Sequence, residues 1–241
     1  MDKINTFIAL DIEATGISPN KSRIIEIGAI KVVNGVKVDT FSSFVNPCVP
    51  ISEEITNLTG INEEMLKNAP YAKEVLVNFL DFIEDYPWLG HSINSDYGYI
   101  KAALYQNDML DKGFIKYGYD TLAIAKKVLP NLSSKSLKNL CKYYHIENEH
   151  EHRALSDAKV TMMLFYELQK HFYLEQKESF KKSLLTYKVK KIQNITNWQK
   201  NYLNDLIKYH KIMFSGRIDE LTMSEASKII DIIIYNHGRI M

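Results

Sequence analysis

Residues 6–45, TFIALDIEATGISPNKSRIIEIGAIKVVNGVKVDTFSSFV, decide the fold. Three apolar, β-branched runs stand out: TFIALDIEAT at 6–15, RIIEIGAIKVV at 23–33 and VKVDTFSSFV at 36–45. Each has the length and composition of a strand, and Asn34-Gly35 between the last two is a type I′ hairpin signal, because both turn positions require φ > 0. The chain therefore opens as an antiparallel meander.

From about residue 52 the apolar period changes to that of a helix, with Tyr71, Val75, Phe79, Phe82 and Ile83 on one stripe. WLGH at 88–91 reads as a further strand, and helix resumes from Asp96. KYGYDTLAI at 116–124 holds the last strand and leads into helices near 121–128, 136–145 and 154–172. Three meander strands followed by alternating helix and strand predict an α/β domain, a mixed five-stranded sheet flanked by helices, over residues 1–172. A Lys-rich linker or helix is expected over 173–190 and a small helical hairpin over 191–241, its second helix opened by a capping box from Thr222 to Glu225.

The 241 residues, 46% hydrophobic and 24% charged, exclude disorder and fibrous repeats. Cys48 and Cys141 have no metal-type spacing and suggest no disulfide framework. The start of the chain lacks a signal-type apolar core and no later run reaches the length of a membrane span, so a soluble, cytoplasmic protein without membrane association is expected.

The acids carry the chemistry. Asp11 and Glu13 stand two apart in an apolar strand, so both carboxylates share one face of the sheet. Asp96 lies on the stripe of Ile100, Ala103 and Leu104, and Asp157 on that of Thr161, Leu164, Phe165 and Leu168; both face inward. A helix N-cap accounts for one such Asp, but four inward carboxylates in one domain need a countercharge. Two divalent cations balance them, and oxygen-only ligation points to Mg²⁺ or Mn²⁺ rather than zinc. His152, in the polar run ENEHEHR five residues before Asp157, is a candidate general base, with His91, His145 and His150 as competitors.

Together DIEATG at 11–16, GHSINSD at 90–96 and HRALSDA at 152–158 resemble, in order and spacing, the three exonuclease motifs of the DEDDh family. The likeness runs over residues 5–172 and is greatest to the epsilon proofreading subunit of bacterial DNA polymerase III and to the exonuclease domains of Gram-positive polymerases. It implies an RNase H-like fold and metal-dependent 3′-to-5′ removal of nucleoside monophosphates, with Asp11, Glu13, Asp96 and Asp157 holding two Mg²⁺ or Mn²⁺ ions and His152 taking the proton of the attacking water. It further implies that the backbone at Thr15 and Gly16 approaches the terminal nucleotide and that Leu58 and Ile61, in LTGI, wedge against the last bases. From their sequence alone Leu58 and Ile61 read more simply as core. Glu26 is either a carboxylate behind the site or a paired structural acid. The second motif departs from the family, with Ser92 after its His and Ser95 before its Asp, where Asn and an aromatic residue are common.

The substrate implied is the 3′ end of DNA, with an RNA-trimming exoribonuclease and a non-catalytic nucleic-acid-binding or assembly module on the same fold as the alternatives. The near-neutral net charge of +1 hides an uneven distribution: residues 1–172 carry a net −4 and residues 173–241 a net +5. Much of the latter lies in Lys177, Lys181, Lys182, Lys188, Lys190 and Lys191. The C-terminal helices are expected to contact a polymerase or another replication or repair protein, or the substrate backbone.

Overall fold

Strand β1 (Phe7–Ala14) pairs antiparallel with β2 (Ile24–Val33), and β2 with β3 (Val36–Phe44). The hairpin turns on Asn34 (φ 54°) and Gly35 (φ 80°), the two positive angles that the Asn-Gly pair predicts. In this computed structural model, which describes residues 3–111, 114–148, 150–190 and 193–240, two compact units are separated, Met1–Val189 and Lys190–Met241.

In the first unit, α1 (Glu53–Thr59), α2 (Glu63–Lys67) and α3 (Ala72–Ile83) follow the meander. The short strand β4 (Trp88–Gly90) then joins β1 in parallel, and α4 (Ile93–Gln106) leads to β5 (Tyr117–Asp120), parallel to β4. Helices α5 (Thr121–Val128), α6 (Leu137–Tyr144) and α7 (Ala154–Phe172) complete the layer on the other side. The period of two in β1 sorts the core. Ile8, Leu10 and Ile12 pack with α3 and α4, whereas Phe7 and Ala9 pack with α5, α6 and α7.

The sheet has six strands, in the order β3-β2-β1-β4-β5-β6, not the five expected. The sixth, β6 (Ser183–Leu184), comes from the stretch expected as a Lys-rich linker and pairs antiparallel with β5. Here Phe180 and Leu185 are buried, and the Phe180 ring lies edge-on to Tyr173 at 5.4 Å and tilted against Phe165 at 6.2 Å between centroids. Burying a Phe contributes about 1.5–3 kcal/mol, enough to fasten this segment although lysines surround its few apolar residues. Of the lysine cluster, Lys191 lies outside the described residues. Helix α4 starts at Ile93, three residues before the expected Asp96.

In the second unit α8 (Asn197–Tyr209) and α9 (Met223–His237) share a core of Leu203, Leu206, Ile230 and Ile233. Both begin with complete capping boxes, Thr196 with Gln199 and Thr222 with Glu225. Among the described residues no helix is long and apolar enough to cross a membrane.

Candidate active site

Asp11 and Glu13 leave β1 on the face that carries α7. Their partners across the β1–β2 ladder are Gly28 and Glu26, which project to the same side. Gly28 is the reason α7 comes so close. A Cβ built there would lie 2.1 Å from the backbone N of Leu155 and 2.3 Å from the carbonyl carbon of Ala154, so the first turn of the helix rests directly on the strand. That turn delivers Asp157, which is buried. Asp96 arrives separately, in the first turn of α4, and is also buried.

The four carboxyls resist ionisation. Burial, then the charges of Asp96, Glu13, Asp157 and Glu26, hold Asp11 well above the ordinary carboxylate range. Glu13 is pushed up to about 7 by burial and by Asp157 and Glu26, with Arg153 opposing. Asp96 is raised well above its usual value by burial, with Asp120 and Glu13 adding to it against two backbone hydrogen bonds. Asp157 is raised chiefly by burial, although Asn148 and the backbone of His152 stabilise its anion. Arg153, the cation that opposes this rise at Glu13, is already committed to Glu26. A divalent ion is the countercharge such a set takes: the donors are carboxylate oxygens with one imidazole beside them, and hard ions such as Mg²⁺ or Mn²⁺ fit. Ligand atoms of Glu13, His152 and Asp157 all lie within 4.8 Å of one another.

His152 reaches this position through a left-handed backbone (φ 60°) and donates its own N–H to Asp157 Oδ2 at 3.1 Å. Its imidazole stays exposed at the mouth of the site. Of the competing histidines, His91 bonds Thr121 Oγ1 at 2.9 Å, His145 is the C-cap of α6, and His150 is an exposed loop residue. Burial lowers the pKa of His91.

Two supporting residues escaped the sequence reading or were left open by it. Asn148 donates Nδ2 to Asp157 Oδ1 at 2.7 Å and accepts from Ser156 Oγ at 2.8 Å, fixing the carboxylate from outside. An Asn in a polar loop gives no sequence signal for that role. Glu26, 3% exposed, accepts from Arg153 Nη2 at 2.9 Å and from the backbone N–H of Ala154 at 3.0 Å. It is thus a paired acid that also caps the start of α7.

Thr15 and Gly16 close a turn beside β1, where Thr15 Oγ1 accepts from the N–H of Arg23 at 2.9 Å and the Gly16 carbonyl accepts from Tyr99 Oη at 2.6 Å. Leu58 is 50% exposed and open to a ligand. The expectation for Ile61 does not hold: it is fully buried against Ile25 and Leu66, so its side chain offers no surface to a base. Ser92 adopts φ 73° and gives its N–H to Asp120 Oδ1 at 3.0 Å, while Ser95 bonds back to Ser92, so the second motif is held by backbone contacts.

The sequence model of the family described as "Exonuclease" matches residues 8–165. The chain is 35% identical over 170 residues to the DNA polymerase III subunit epsilon of Aquifex aeolicus, a match covering 70% of this chain and 83% of that one. It is 39% identical over 162 residues to the PolC-type DNA polymerase III of Caldanaerobacter subterraneus subsp. tengcongensis, covering 67% of this chain but only 11% of that much longer protein. Among solved structures, the nuclease domain of 3′hExo, a DEDDh family member bound to rAMP, superposes with a TM-score of 0.62 at 18% identity, covering 76% of this chain and 98% of that one. Pop2p of S. pombe, in its Mg²⁺- and Mn²⁺-bound form, superposes at 0.58 with 18% identity, covering 70% and 84%. These structures share the fold.

Proposed function

The chain belongs to the exonuclease family, and from that membership we propose that it removes nucleoside monophosphates one at a time from the 3′ end of DNA, as a proofreading or repair nuclease. The observation that carries this reading is the group Glu13, His152 and Asp157, whose ligand atoms lie within 4.8 Å of one another, with Asp11 and Asp96 buried close enough for their charges to add to the repulsion.

These four acids would hold two divalent ions, Mg²⁺ or Mn²⁺. When bound, such ions supply Lewis-acid charge neutralisation at the phosphate and activation of the attacking water. The exposed imidazole of His152 accepts the proton that this water loses. The water oxygen bonds the phosphorus as the P–O3′ bond breaks, leaving a 5′-monophosphate on the released nucleotide, and the departing O3′ takes a proton from solvent to become the hydroxyl of the shortened strand. Asn148 and the His152 N–H keep Asp157 in one orientation throughout. The backbone at Thr15 and Gly16 faces the terminal nucleotide, and Leu58 presents an apolar edge to its base.

DNA is favoured as substrate by the polymerase III relatives. The Lys190–Met241 unit, with Trp198 exposed and stacked on Tyr202, is assigned to contact with a polymerase or other replication protein in the cytoplasm. The test is digestion of 5′-labelled single-stranded DNA and its RNA counterpart in Mg²⁺. A ladder shortening from the 3′ end of DNA, lost in Asp157→Asn, is expected; undiminished digestion by that variant would sink the reading. His152→Ala is expected to lower kcat.

A further inference from the structure

Beside the acids, the same face of the sheet bears a groove of opposite character. It has a volume of about 400 Å³ and runs between α7 and the outer strands β2 and β3. Lys37, Thr40 and Ser42 line it from β3, His150 and Arg153 from the loop before α7, and Lys159 from the helix itself.

The register explains how this surface arises. Thr40 and Ser42 sit opposite Ile30 and Gly28, so their hydroxyls project on the side where α7 lies. Lys37 and Lys159 are exposed, and among the described residues neither makes an ion pair. The one acid in the lining, Glu26, is buried and held by Arg153, so it does not neutralise the lysines. A cationic trough with hydroxyl donors thus stands out in a part of the chain, residues 1–172, whose net charge is −4. It is continuous with the acids, because Arg153 follows His152 and Ser156 precedes Asp157 in the same turn.

We propose that this groove binds the sugar–phosphate backbone of the strand being digested, beyond the nucleotide in the active site, with Lys37 and Lys159 as the phosphate contacts. The chemistry is that of a polyanion track: the ammonium groups of Lys37 and Lys159 and the hydroxyls of Thr40 and Ser42 recognise phosphates, the apolar Ile30, Leu155 and Met162 line the groove beside them, and no aromatic side chain among the lining residues supplies a base preference. The inference deepens the exonuclease reading and rests on it for the identity of the strand.

The experiment measures two things on the full chain. Anisotropy of a fluorescent single strand of about 20 nucleotides, in chelator and over a salt series, reads binding alone; hydrolysis of the nitrophenyl ester of thymidine 5′-monophosphate in Mg²⁺ reads the active site alone. For the double variant Lys37→Glu/Lys159→Glu the strand's Kd is expected to rise about tenfold or more, and the log–log salt slope to shrink by about 1.4, the share of two phosphate contacts on a single strand. Lys37→Arg/Lys159→Arg keeps both near the wild-type values. Unchanged affinity and slope in the charge-reversed variant, or binding of an acidic peptide in preference to the strand, would overturn the groove assignment while leaving the exonuclease reading intact. A wild-type protein that binds the strand through these lysines but splits neither the ester nor DNA would overturn the exonuclease reading instead.

Discussion

Arg153 Nη2 donates to Glu26 Oε1 at 2.9 Å, a pair that ties the second strand of the sheet to the loop carrying His152. Its Nε shares the same carboxylate at 3.3 and 3.2 Å, and the guanidinium lies 5.2 Å from the centroid of Phe44. Such a planar, forked contact fixes direction as well as distance.

Glu26→Gln is therefore expected to cost about 1.5–3 kcal/mol, the range for a hydrogen bond to a charged group, and to reduce kcat by freeing the start of α7. Arg153 is partly exposed and can rehydrate, which keeps the loss below that of a fully buried pair. Urea denaturation and single-turnover rates check both halves. A variant as stable and as fast as wild type would show that the pair does not hold the loop.

Asp11→Asn separates stability from activity. Asp11 is crowded by Asp96, Glu13 and Asp157, so removing its charge relieves repulsion. In chelator the variant is expected to be about 1–2 kcal/mol more stable, while its nuclease activity falls about a thousandfold. A drop in stability would contradict the electrostatic account.

Chelated protein should also lose stability as pH rises. A carboxyl whose pKa is higher folded than unfolded keeps its proton more tightly in the folded state. Its favourable contribution is complete below the ordinary range near 4.5 and disappears as pH climbs through about 7, where Glu13 ionises. Asp11, Asp96 and Asp157 shift in the same direction. In chelator, Tm is thus expected to be lower at pH 8 than at pH 5, and Mg²⁺ to raise it more at pH 8. A Tm that increases with pH in chelator would reverse the sign and refute the coupling.

Asn148→Ala removes the contact to Asp157 Oδ1 and also leaves Ser156 without that acceptor. An activity loss of about tenfold or more is expected, together with a higher Mg²⁺ requirement, as for outer residues that orient metal ligands. A Mg²⁺ titration of the rate, with Tm as the control for folding, distinguishes this from general destabilisation.

The two thiols differ sharply. Cys48 is exposed, whereas Cys141 is 4% exposed and burial pushes its thiol up to about 11. Ellman's reagent is expected to titrate one thiol in native protein and both in guanidinium; rapid reaction of both in native protein would show that α6 opens readily.

The strands β1 to β3 were legible because their alternation and their Asn-Gly turn are local signals. Asp11 and Glu13 were legible for the same reason, as anions where the pattern calls for apolar residues. Local pattern failed where a long-range contact decides. Phe180 lies singly among charged residues, and Leu185 is buried while its neighbour Leu184 is exposed, so only Phe165 and the sheet edge reveal which are core. Ile61 stands in a motif associated with substrate, yet Ile25 and Leu66 enclose it. Asn148 carries no periodic signature, and its contact with Asp157 exists only once the loop folds back on the first turn of α7.

The contact between Gly28 and the first turn of α7 also sets an order of events. During synthesis, Asp11, Glu13 and Asp96 leave the ribosome well before Asp157 exists, and the strand backbone at Gly28 waits bare for the helix. A nascent chain therefore holds three acids without their fourth, and without the turn that presents His152. The acids of β1 therefore meet Asp157 only once the last helix on that face of the sheet has docked, and the missing side chain at position 28 is what lets it dock.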